Sequence, residues 1–185
     1  MLYHSMKIAG LDRKLPLCPI NDDLYIAGFI MFGDTEITTA AAEKLLEIAP
    51  AYDYIITAEA KGIPLAHEMA RLHGDSYYFV ARKKPKLYMT GVFEVTVRSI
   101  TTDGEQKLYL DTADAARMKG KRILIVDDVI STGESLAALE TLVKEAGGNT
   151  VSKMAVLAEG EAAKRSDIQF LEPLPLFNAK GEIIG

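Results

Sequence analysis

The chain has 185 residues, of which 49% are hydrophobic and 25% charged, and its formal net charge is −5. That length supports one domain with a substantial core, and the acidic balance argues against a general attraction to nucleic acid or to an anionic membrane surface. The single cysteine, Cys18, excludes an intrachain disulfide, and no apolar run is long enough to span a bilayer.

Leu24–Ile30 is rich in apolar residues and reads as a strand. Asp34 or Thr35 caps a helix that runs to about Ile48, and Pro50 ends it. Tyr54-Ile55-Ile56-Thr57-Ala58 is a short buried strand, followed by the loop Glu59-Ala60-Lys61-Gly62. Pro64 opens a helix that stops before Gly74, and Ser76–Ala81 is the next strand. Strand, helix, strand in this order predicts parallel pairing with right-handed crossovers. The basic run Arg82-Lys83-Lys84-Pro85-Lys86 follows directly.

The middle of the chain changes period. Phe93, Val95 and Val97 alternate with Glu94, Thr96 and Arg98; Thr102-Asp103-Gly104-Glu105 reads as a turn, and Lys107–Leu110 as the return strand. Such an inserted hairpin is either a mobile lid or an edge that packs on a partner subunit, and the two are compatible.

The most informative stretch is Ile123-Leu124-Ile125-Val126-Asp127-Asp128-Val129-Ile130-Ser131-Thr132-Gly133-Glu134-Ser135, after which Leu136, Leu139, Val143 and Ala146 fall at helical spacing. It predicts a buried parallel strand, a loop and a helix N-terminus. Free N–H groups at a helix start favour a phosphate, and Gly133 lets the backbone come close to it. Ser131, Thr132 and Ser135 can add hydroxyl donors. The aspartates would repel that phosphate, so they suit hydroxyl groups or a divalent cation further out. The ligand implied is a ribose phosphate. Two plainer readings stand beside it. The aspartates could be an N-cap and a solvated neighbour, or the acidic pair of a receiver domain. The receiver domain needs an aspartate after the following strand, where Val151–Leu157 leads instead to Ala158-Glu159. Gly147-Gly148 closes the helix, and Ile168–Phe177, with Pro173 and Pro175, is expected to be irregular and to return over the sheet.

The stretch 123–135 resembles the binding motif of type I phosphoribosyltransferases, which use 5-phosphoribosyl pyrophosphate (PRPP). The resemblance implies that fold: a three-layer α/β domain with a mostly parallel sheet flanked by helices, an inserted β-hairpin lid and a small hood built from the chain ends. A single domain over 1–185 is expected, with its core at about 50–160 and its hood from 1–37 and 165–185. By the same resemblance Asp127 and Asp128 face the ribose, with Asp128 catalytic, and Ser131, Thr132, Gly133, Glu134 and Ser135 hold the 5′-phosphate. Glu134 stands where the family often has a second glycine, so its side chain is expected to face solvent.

Glu59-Ala60-Lys61-Gly62 resembles the pyrophosphate loop of adenine phosphoribosyltransferases, making Ala60, Lys61 and Gly62 PRPP-binding residues and Lys61 a catalytic one. Several family members carry a non-proline cis peptide there, and Ala60–Lys61 is the bond the resemblance suggests. The Ala-Arg-Lys-Lys run resembles adenine and xanthine enzymes at the same place in the chain, so Arg82, Lys83 and Lys86 are also expected at the diphosphate, with Arg82 catalytic. Ser99-Ile100-Thr101-Thr102 and the hairpin length look closer to xanthine enzymes and a related PRPP-binding repressor. Glu105 is the nearest candidate for an acid–base group in the lid.

The implied activity is a purine phosphoribosyltransferase of adenine or xanthine type, a glycosyltransferase for salvage. Mg²⁺ would be bound mainly through PRPP, and a homodimer is the family habit. A PRPP-binding regulator without chemistry is the rival, and an orotate enzyme would need more cations near 21–37. His4, His67 and His73 have no spacing that suggests a protein-held metal site. The first ten residues lack a secretory apolar stretch, so a cytoplasmic location is expected.

Overall fold

The computed structural model describes residues 1–98 and 105–184. Tyr3–Ile8 (β1) and Leu11–Pro19 (β2) form an antiparallel hairpin in which Ile8 faces Leu11. Its two turn residues, Ala9 and Gly10, have φ of 49° and 84°. Two positive φ values match the twist of the flanking strands. Tyr25–Ala27 (β3) pairs with β2, so the strand expected over Leu24–Ile30 is only three residues long.

Thr35–Ile48 (α1) starts where Asp34 accepts a hydrogen bond from the Ile37 N–H. The Arg13 Nε and Nη2 donate to the same carboxylate at 2.8 and 3.1 Å, tying β2 to the helix start. Tyr54–Ala58 (β4), Ile63–His73 (α2) and Phe79–Ala81 (β5) follow in the expected order, with β5 shorter than expected. Val92–Arg98 (β6) and Glu105–Asp111 (β7) make the antiparallel hairpin. The segment Ser99–Thr102 and most of the expected turn lie outside the described residues, as does the side chain of Glu105. Thr112–Met118 (α3), Arg122–Ile130 (β8), Glu134–Glu145 (α4) and Asn149–Glu159 (β9) complete the main motif. A 3-10 turn over Gly160–Lys164 leads to Gln169–Leu174 (β10), Leu176–Phe177 (β11) and Ile183–Ile184 (β12).

The central sheet is parallel, in the order β10-β9-β8-β4-β5. The tail expected to be irregular is thus mostly strand. Gln169 to Leu174 pairs in parallel with β9, and β10 is an edge where Pro173 fits the sheet. A second sheet, β1-β2-β3-β11-β12, joins segments from both ends of the chain and forms the hood.

Side-chain alternation along β8 builds both faces. Leu124 and Val126 pack with Ile37, Leu45, Leu65 and Met69 of α1 and α2, while Ile123 and Ile125 pack with Leu136, Leu139 and Val143 of α4. Each fully buried Leu or Ile contributes about 1.5–3 kcal/mol. The hairpin joins this second core: Val95, Leu108 and Leu110 are buried against the α4 side. Its period-two pattern therefore marks an anchored face. Arg82 also exchanges both backbone hydrogen bonds with Tyr109 of β7, at 2.8 and 2.9 Å.

Candidate active site

Three loops leave the carboxyl ends of β4, β5 and β8, the place where ligands bind in open parallel sheets. The first is Glu59–Gly62. Its cis peptide is Glu59–Ala60, one residue before the bond the sequence suggested. Gly62 has an ordinary φ of −74°, so close approach, and not a left-handed turn, selects glycine here. A Cβ on Gly62 would stand 2.2 Å from the Thr57 hydroxyl and 3.1 Å from Asp127 Oδ1.

The aspartates lie within β8, whose strand runs on to Ile130; the loop begins only at Ser131. Alternation points the two carboxyls differently. Asp127 is half-buried beneath Gly62 and accepts the Asp128 N–H at 2.9 Å. Burial, then the neighbouring charge of Asp128, push its carboxyl up to about 7. Asp128 is 2% exposed. Lys61 Nζ lies 3.2 Å from its Oδ2, yet that oxygen receives no hydrogen bond. The ion pair is close but out of line, and a buried carboxylate oxygen in that position suits a hydroxyl or cation brought by a ligand.

The third loop ends in Gly133, with φ 81°, and opens α4. Gly133 has no side chain to cap the helix and the Thr132 hydroxyl accepts the Glu134 N–H only at 3.5 Å, so the first-turn N–H groups are suited to an anion. Asp127 and Ser131–Leu136 help line a small cavity of about 50 Å³ there. Glu134, expected to face solvent, is half-buried and helps line it too.

The second loop carries the basic run. Arg82 Nη2 and Lys86 Nζ lie 3.2 and 3.5 Å from Glu59 Oε1, and the Lys83 N–H donates to Glu59 Oε2 at 3.1 Å. The Glu59 N–H donates to the Ala81 carbonyl, so the first and second loops are held together. Lys83 is exposed; its backbone, and not its ammonium, is what the structure brings to this cluster.

Sequence reasoning missed three neighbours. Thr57, fully buried with no partner for its hydroxyl, was readable as the polar residue in an apolar strand. Glu159, at the end of β9, is half-buried; burial raises its carboxyl, and the charge of Lys61 opposes that. Arg165 places Nη1 2.4 Å from where a Gly133 Cβ would stand, held by Asp167 at 2.9 and 2.8 Å. Nothing in the local sequence marks Arg165. The histidines lie elsewhere: His4 stacks on Phe177, His67 meets Tyr78, and His73 pairs with Asp75. Among the described residues no group of three or more His, Cys, Asp or Glu is arranged to hold a metal.

An α/β domain with an acidic pair, a helix start opened by glycine and a basic loop around one sheet end is of the class suited to a phosphorylated, hydroxyl-bearing ligand. The family model of the phosphoribosyl transferase domain matches residues 33–174. The chain belongs to that family. A hypoxanthine/guanine phosphoribosyltransferase of Methanothermococcus okinawensis is 32% identical over 158 residues, covering 82% of each chain. One from Methanotorris igneus is 38% identical over 112 residues, which is 60% of this chain and 57% of that relative. Against the second relative, then, the chain matches less than two thirds of the length. Two solved structures share the fold. The adenine phosphoribosyltransferase of Thermoanaerobacter pseudethanolicus gives a TM-score of 0.70 at 20% identity, covering 86% of this chain and 95% of that one. The enzyme of Saccharomyces cerevisiae gives 0.67 at 23% identity, covering 85% and 92%.

Proposed function

We propose that the chain is a purine phosphoribosyltransferase that moves the phosphoribosyl group of PRPP to a ring nitrogen of a purine and releases pyrophosphate. The observation that carries this reading is the convergence of the three loops, joined by the Lys61–Asp128 pair and by the Glu59 contacts to Arg82 and Lys86. The reaction breaks the bond from the anomeric carbon to the diphosphate oxygen and forms one to the base nitrogen. Positive charge grows on the ribose ring and negative charge on the leaving group. The chain's task is fixed electrostatics and exclusion of water.

Each group has a part in that task. The first-turn N–H groups of α4 and the hydroxyls of Ser131, Thr132 and Ser135 hold the 5′-phosphate, with Gly133 and Glu134 giving backbone. Asp127 and Asp128 accept from the ribose hydroxyls, and the negative charge of Asp128 favours an oxocarbenium-like ring beside it. Lys61, Arg82 and Lys86 meet the diphosphate, Lys83 adds a positive charge at longer range, and Ala60 and Gly62 set the path of the loop. Arg82 can bind a phosphate with two N–H groups, whereas the lysines act as point charges. Mg²⁺, bound mainly through PRPP, would supply further positive charge to the leaving group. Asp128 Oδ2, which receives no hydrogen bond beside its ion pair with Lys61, fits such a substrate-borne ion or its water. Glu105 keeps its proposed acid–base part as an assignment from sequence.

The relatives named for hypoxanthine and guanine stand at 32–38% identity, against 20–23% for the adenine structures. The names of those first relatives support hypoxanthine or guanine ahead of the adenine or xanthine type expected from the loops. We also propose one domain over 1–185, a homodimer, and a cytoplasmic location. Exposed Leu87 and Tyr88 beside the basic loop support the dimer, which light scattering tests. No helix among the described residues is long and apolar enough to cross a membrane. The deciding experiment is pyrophosphate release from PRPP and Mg²⁺ across hypoxanthine, guanine, xanthine, adenine, uracil and orotate. Release with one purine well above the base-free control is expected. No release with any base, alongside PRPP binding, replaces the reading with a PRPP-sensing regulator.

A further inference from the structure

Glu59 sits where it should hinder the assigned chemistry. A ligand diphosphate is anionic, yet the two cations best placed to meet it share a carboxylate of their own chain. Arg82 Nη2 is 3.2 Å and Lys86 Nζ 3.5 Å from Glu59 Oε1, and the other oxygen takes the Lys83 N–H at 3.1 Å. All three side chains are partly buried, with 23% of Glu59, 26% of Arg82 and 30% of Lys86 exposed, so solvent screens these pairs less than surface ones. Burial raises the Glu59 carboxyl; the Lys83 N–H and the charges of Arg82 and Lys86 outweigh it and hold the group below the usual carboxylate range. The Glu59 backbone is held by its N–H bond to the Ala81 carbonyl at 2.9 Å, so the carboxylate moves by rotation of its own side chain while the loop stays in place.

We propose that Glu59 is an internal counter-ion for the diphosphate subsite. It holds Arg82 and Lys86 converged while the subsite is empty, gives way to the diphosphate, and reclaims the cations as pyrophosphate leaves. Its carboxylate thereby weakens the grip on product and sets the release rate. The proposal rests on the reading that Arg82 and Lys86 meet a diphosphate. Glu59 is a positioning residue, acting through those two cations. Lys61 repeats the pattern with Asp128, so the principal cations of the site each have a carboxylate partner within the chain.

The test is binding of inorganic pyrophosphate to the full chain by calorimetry at fixed pH and salt. Wild type is compared with Glu59→Gln, Glu59→Ala, Arg82→Gln and the double variant Glu59→Gln/Arg82→Gln, each checked for an unchanged unfolding midpoint. Removing the competing charge tightens pyrophosphate binding by about tenfold in Glu59→Gln, and in Glu59→Ala if only the glutamine misfolds. In the Arg82→Gln background the gain falls to about threefold or less, because half of the contested charge is gone. Damage to the loop would weaken binding instead, so the sign separates a counter-ion from a structural prop. Unchanged or weaker binding in both Glu59 variants overturns the proposal. Equal pyrophosphate affinity in wild type and Arg82→Gln removes its premise as well, and points to the diphosphate assignment as the error. Absence of nucleotide formation with every purine would overturn the proposed function without altering this comparison.

Discussion

Asp127 carries a charge cost that a titration reads directly. Its carboxyl is pushed up to about 7 from an ordinary 3.8, by burial first and then by the charge of Asp128. Between those values the folded chain holds a proton that the unfolded chain has released, so stability falls as pH rises through that window. The shift is about three units at about 1.4 kcal/mol each, which gives a ceiling of about 4 kcal/mol. That shift already contains the charges of Asp128 and Lys61; because the two carboxylates titrate as a pair, the loss assigned to Asp127 by pH 8 is about 1–3 kcal/mol. Asp127→Asn is nearly the shape of the protonated acid, and its amide oxygen can still accept the Asp128 N–H that Asp127 Oδ1 accepts at 2.9 Å. The assay is urea unfolding of both proteins at pH 5, 6, 7 and 8. The variant's stability advantage is expected to grow by about 1–3 kcal/mol between pH 5, already about one unit inside that window, and pH 8. A wild type that gains on the variant between pH 5 and pH 8 would refute the reasoning, since Asp127 would then be stabilised in its charged form.

Gly62→Ala pushes a methyl into the Thr57 hydroxyl and the Asp127 carboxylate, so it should cost about 1–3 kcal/mol in chemical unfolding and weaken PRPP binding in calorimetry. Gly133→Ala meets a left-handed φ of 81° and the Arg165 guanidinium; a loss of about 1–3 kcal/mol is expected, and Arg165→Ala should relieve only the contact part of it. Lys61→Met leaves Asp128 buried without its cation and should lower nucleotide formation about 100-fold. Asp128→Asn should lose most activity while keeping its fold by circular dichroism; combining it with Lys61→Met should cost less than the two losses together. Leu139→Ala, far from solvent between α4 and β8, should cost about 2–5 kcal/mol in unfolding with ligand affinity held.

The stretch 123–135 was legible because its chemistry is local: buried alternation, two acids, then a glycine that must adopt positive φ. The caps of α1 and α2 were legible for the same reason, as Asp34 and Gly74 act on their own helix ends. What the sequence hid depends on partners far along the chain. The β1–β2 hairpin turns on Ala9-Gly10, where alanine takes a φ of 49° without the usual Asn or Asp signal. Residues 169–174 read as irregular because of Pro173, yet an edge position excuses a missing N–H. At the site, Lys61, Arg82, Lys86 and the two aspartates were all readable as chemistry. Their pairing was not, because Glu59 reaches its cations across more than twenty residues of sequence, and Arg165 reaches Gly133 across more than thirty.

The reciprocal backbone hydrogen bonds between Arg82 and Tyr109 make the basic loop and the β6–β7 hairpin one mechanical part. Leu108 and Leu110, on either side of Tyr109, are sunk in the core, so this junction behaves as a fulcrum and the rest of the hairpin as the lever. A shift of the hairpin at Tyr109 therefore reaches the Arg82 backbone directly, through these two hydrogen bonds. Shortening the hairpin would therefore also loosen the backbone of Arg82, the cation proposed to meet the leaving group.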